Sequence, residues 1–123
     1  MHMIEFRVCR EGEIAEGGVR IVQTTTDEIG VFYRGGQYFA YRNFCPHQGG
    51  PACEGVQLPQ VIDVIGEGGV YLGQNYDEND IHIICPWHSY EFHLSDGTHV
   101  CDKSLRLKKY DVVRRDGQVY IVA

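Results

Sequence analysis

The chain has 123 residues, 43% of them hydrophobic, and carries 17 acidic against 11 basic side chains for a formal charge of −6. That length closes one core but falls short of a large multi-step enzyme. The hydrophobic content excludes a disordered segment, and the acidic balance excludes a nucleic-acid surface, which needs a basic footprint.

The N-terminal MHMIEFRVCREGEI lacks an apolar leader core, and no run approaches the length of a membrane span. A cytoplasmic chain with no membrane contact is expected. There, five cysteines serve as thiols or metal ligands rather than as a disulfide framework.

Helical periodicity is almost absent, and short β-branched and aromatic runs alternate with glycine-rich turns. Residues 5–9 (EFRVC) read as a first strand. Residues 18–25 (GVRIVQTT) follow, with Val19, Ile21 and Gln23 on one face and Arg20 and Val22 on the other. Residues 29–43 form a hairpin turning through Arg34-Gly35-Gly36-Gln37, where glycine supplies the positive φ of a tight turn.

Between residues 59 and 80 lies a further strand–turn–strand signal, 61–65 and 70–72 around GEGG, read as an inserted hairpin ending in a polar tail. The acidic run Asp77-Glu78-Asn79-Asp80 reads as a solvated loop. Residues 106–123 are a last hairpin turning at Asp116-Gly117. Strands at this spacing predict a small all-β domain, an antiparallel sandwich or barrel, over residues 1–123.

Two loops carry the chemistry: NFCPHQGGPACEG, with Cys45 two residues before His47, and ICPWHSYEF, with Cys85 three residues before His88. A structural zinc site usually pairs like ligands, cysteines in one turn and histidines in another. Here each loop offers one of each. Two metal atoms explain this better than one, with soft thiolates on one iron and imidazoles on the other. A redox-inert zinc module remains the alternative, which a colourless, EPR-silent preparation would support.

C-P-H-x-G-G and C-P-W-H resemble the cluster-binding motifs of Rieske iron–sulfur proteins, and the resemblance covers nearly the whole chain, most weakly at residues 56–80. It implies a Rieske-type antiparallel β sandwich with a cluster-binding subdomain at about 43–95 and an inserted hairpin at about 56–80. It implies a 2Fe–2S cluster, with Cys45 and Cys85 on the inner iron and His47 and His88 on the outer. It further implies a small ferredoxin that converts no substrate itself and shuttles single electrons from a flavin-dependent reductase to a terminal oxygenase. The second reading is a stable subunit of a larger oxidoreductase, such as the small subunit of a nitrite reductase.

Members of the family that oxidise quinols have two further cysteines, joined across the loops. This chain has Gly50 and Trp87 in their places, and Tyr90 and Phe92 where those proteins have a serine and a tyrosine donating to sulfur. Fewer donors predict a potential near the low end of the Rieske range, roughly −150 mV. Ser89 stands where the family often has glycine.

Among the remaining cysteines, Cys9 is expected to be a small buried hydrophobe and Cys53 to pack beneath the first loop. A Cys53–Cys101 disulfide does not suit a reducing compartment. His82, His93 and His99 are read as surface or strand histidines, and Trp87 as a shield beside the cluster.

Overall fold

The computed structural model describes residues 4–46, 49–86 and 90–123, and for residues 60–64 and 74–79 the backbone alone. Nine strands follow one another among the described residues: β1 (Glu5–Arg10), β2 (Val19–Gln23), β3 (Glu28–Arg34), β4 (Gln37–Arg42), β5 (Val56–Ile65), β6 (Tyr71–Ile84), β7 (Glu91–His93), β8 (Lys109–Arg115) and β9 (Gln118–Val122). They pair antiparallel in a six-stranded sheet, β1-β9-β8-β4-β3-β2, and a three-stranded one, β5-β6-β7.

The expected hairpins form where turn chemistry demands them. Gly35 and Gly36 adopt φ of 62° and 77°, and Asp116 and Gly117 adopt 53° and 74°. These left-handed pairs match the twist of the flanking strands. On β2 the expected alternation appears, with Val22 packing inward while Val19 and Ile21 stay partly exposed.

Strands β3 and β4 bury both faces, and this organises the molecule. Ile29, Val31 and Ala40 join Val8, Cys9, Val119 and Ile121 in a core enclosed by the large sheet. Phe32 and Tyr41 point the other way, into a second core with Cys45, Cys53, Ile81, Ile83, Cys85, Phe92 and Leu94. The central hairpin is thus the shared wall between scaffold and small sheet. Tyr41 fastens it there: its hydroxyl donates to the Leu94 carbonyl, and burial pushes its pKa well up.

The hairpin at residues 59–80 differs from expectation in extent. Its strands run on into the loop-bearing sheet as β5 and β6, ten and fourteen residues long. The acidic run at 77–80, read as a solvated loop, lies within β6. Of the four only Asp77 has a partner on β5, Gln60; residues 78–80 fall in the register shift before Ile81 pairs with Pro59. Pro59 is tolerated because β5 is an edge strand whose register shifts between Pro59 and Gln60.

Candidate metal centre

Both cysteine loops close the same way. The Cys45 N–H donates to the Gly50 carbonyl, and the Cys85 N–H donates to the Tyr90 carbonyl, each at 2.7 Å and each spanning five residues. Gly49 completes the first loop by donating to the Cys45 carbonyl at 2.7 Å with a φ of 77°. A side chain there would press on the half-exposed Phe44 ring at 3.0 Å, and the left-handed φ itself favours glycine.

The two loops touch at Gly55. A Cβ on this residue would lie 1.6 Å from the Ile84 carbonyl oxygen, immediately before Cys85. Backbone therefore packs directly on backbone where the first loop leaves and the second begins.

Asn43 anchors the first loop. It accepts from the Cys53 N–H at 2.9 Å and donates to the Glu54 and Glu28 carboxylates at 3.0 and 3.3 Å. Residues Ala52–Glu54 form a single 3-10 turn, which sets Cys53 against β3. The fit is tight: a Cβ on Gly30 would lie 2.3 Å from that of Cys53. The Cys53 thiol donates to the Tyr41 carbonyl at 3.4 Å, and burial pushes its pKa up to about 12. It is a packing thiol.

Beneath the second loop sit Phe92, fully buried, and Tyr90, packed at the margin of the same core. His99 lays its ring against both and accepts backbone N–H bonds from Cys101 and Asp102 at 3.1 Å. It braces the loop that follows β7.

Cys45 and Cys85 are buried in one core cluster, and neither is in a disulfide. Two thiolate donors on loops joined at Gly55 fit a cluster that takes one cysteine from each. His47, Trp87, His88 and Ser89 lie outside the described residues. Cys9 is fully buried as expected, and Cys53 and Cys101 are both free, the first buried and the second exposed. His82 and His93 are strand histidines, but His82 is only 5% exposed and is no surface residue.

Asn43 and Gly55 open and close the first motif, and nothing local in the sequence marks a task for either. The available signal was an Asn opening the loop and a Gly closing it, but their partners come from Glu28 and Ile84, remote in sequence.

The family model for the Rieske [2Fe-2S] domain matches residues 4–111. A 3-phenylpropionate/cinnamic acid dioxygenase ferredoxin subunit from Photorhabdus laumondii subsp. laumondii is 30% identical over 120 residues, covering 97% of this chain and 94% of that protein. Solved structures share the fold. A candidate NADH-dependent nitrite reductase small subunit from Mycobacterium tuberculosis superposes with a TM-score of 0.73 at 15% identity, covering 100% of this chain and 97% of that one. A chain from the complex of reduced oxygenase and oxidized ferredoxin in carbazole 1,9a-dioxygenase superposes with a TM-score of 0.69 at 22% identity, covering 96% and 92%. The chain belongs to the Rieske [2Fe-2S] domain family and is an electron carrier built around that cluster.

Proposed function

We propose that Cys45 and Cys85 bind the inner iron and His47 and His88 the outer iron, and that the protein passes electrons from a flavin-dependent reductase to a terminal oxygenase. The observation that carries this reading is the pair of buried cysteines, outside any disulfide, on two loops closed by the same backbone hydrogen bond. The relative named as a dioxygenase ferredoxin subunit, and the neighbour solved in complex with its oxygenase, support the oxygenase as recipient. Among the described residues no helix is long and apolar enough to cross a membrane. A cytoplasmic carrier meeting its partners in short-lived, charge-tuned contacts accords with the net charge of −6.

The ligand assignment is tested by substitution. His88→Ala removes the cluster absorbance and the EPR signal, because assembly and loop folding are linked. His93→Ala leaves both nearly unchanged. A His88→Ala protein with full colour and a normal spectrum contradicts the assignment.

A second reading has its own observation. At the tip of the β5–β6 hairpin, Ile65, Val70, Tyr71 and Leu72 are 56–65% exposed. Such an apolar tip suits a lasting interface, as in a small subunit of a nitrite reductase. Co-purification with a large partner at native expression favours this reading, whereas elution alone, with electrons still passing to an oxygenase, favours the transient carrier.

A further inference from the structure

On the face of the small sheet opposite the core, β6 and β7 bring together Asp80, His82, Glu91 and His93. Ile81, Ile83, Phe92 and Leu94 fill the core, so the alternating residues of both strands face away from it. His82 stands directly across from His93, with ring centroids 4.8 Å apart and edge-on. Asp80 lies two residues before His82 on the same face.

His82 Nδ1 lies 3.1 Å from Glu91 Oε2. A carboxylate only accepts, so this nitrogen carries the proton and Nε2 is left with a lone pair. That Nε2 is buried and has no hydrogen-bond partner among the described residues. It nevertheless sits 3.3 Å from Asp80 Oδ1, and His93 Nδ1 lies 2.9 Å from the same oxygen. A buried imidazole nitrogen 3.3 Å from a carboxylate oxygen, with no hydrogen bond between them, is left unsatisfied unless a cation bridges the two.

Two of the distances also suit a cation. Ligand atoms at 2.0–2.2 Å from zinc in a tetrahedral site are about 3.3–3.6 Å from one another, close to the 3.3 and 2.9 Å that separate Asp80 Oδ1 from His82 Nε2 and His93 Nδ1. The potential ligand atoms of Asp80, His82 and His93 lie within 4.8 Å of one another, so the widest pair would draw together on binding. Glu91 then has the place of the outer carboxylate that fixes the tautomer of a metal-bound histidine. Asp80 and His93 are 33% and 29% exposed, which leaves a path from solvent.

We infer that Asp80, His82 and His93 form a second metal site, separate from the cluster loops, for a divalent first-row cation of the zinc class. The cation would staple β6 to β7, the strands that enter and leave the second cysteine loop. Two imidazoles and one carboxylate select such a cation over magnesium or calcium, which prefer all-oxygen sites. The competing occupant is a proton, making His82 an imidazolium between Asp80 and Glu91.

The test is titration of the cluster-loaded protein with zinc chloride, in a Cys101→Ser background that removes the exposed thiol. Heat of binding, melting temperature and the cluster's EPR signal are followed together. The site predicts one equivalent bound, a raised melting temperature and an unaltered cluster spectrum. His93→Gln and Asp80→Asn, both partly exposed positions where folding is least at risk, should each weaken binding at least about tenfold, and Glu91→Gln by about tenfold. Zinc uptake equal in the variants, uptake only with loss of the cluster signal, or no uptake at all overturns the proposal; the last would leave the proton as occupant.

Discussion

The two cysteine loops share a closure and differ in their foundations. The first hangs on one polar side chain, Asn43, which ties the loop's return at Cys53 and Glu54 to Glu28 on β3. The second is held by strand pairing and ring packing: Ile83 faces Phe92, Ile84 faces Glu91, and His99 covers Tyr90 and Phe92. The first arrangement concentrates its dependence on a single amide, whereas the second spreads it over a core and a ladder. One point, Gly55 against Ile84, belongs to both.

The most damaging way to break this comparison is at that shared point. Gly55→Ala cannot be relieved by turning a side chain, because the clash is with a backbone carbonyl. It should cost about 3 kcal/mol or more and leave both loops unable to retain iron, as read by denaturant midpoint and iron per chain. Asn43→Ala comes next. It strands the buried Cys53 N–H and should cost about 2 kcal/mol, with cluster loss on mild heating well before global unfolding.

Smaller effects sharpen the contrast. His99→Ala removes the acceptor for the Cys101 and Asp102 N–H groups and the ring brace against Tyr90 and Phe92. It should cost about 1 kcal/mol while the cluster spectrum holds, since strands β6 and β7 remain. Cys101→Ser should shift stability by no more than about 0.5 kcal/mol, and a thiol count on the denatured apoprotein should fall by one without any reductant. A need for reductant would show a disulfide where the structure has two free thiols.

How far the sequence could be read follows the same division. Strands and turns governed by local chemistry, such as Gly35-Gly36 and Asp116-Gly117, were legible because the positive φ has few alternatives. The paired Cys/His spacing was legible because ligand chemistry is local to each loop. The acidic stretch at residues 77–80 was not, since its place in β6 depends on the pairs that flank and begin it, Asp77 with Gln60 and Ile81 with Pro59, across a register shift. Nor were the tasks of Asn43, Gly55 and His82: each depends on residues from another element, and a single chain of letters carries no sign of which carbonyl or carboxylate will stand opposite.

The central claim, that the two loops hold a low-potential Rieske cluster for electron transfer, is tested most directly by an EPR-monitored redox titration at two pH values. The account predicts a Rieske-type signal with a midpoint of roughly −150 mV and little pH dependence near neutrality. A midpoint several hundred millivolts higher that falls with pH in that range, or a metal-replete sample with no signal, would contradict it.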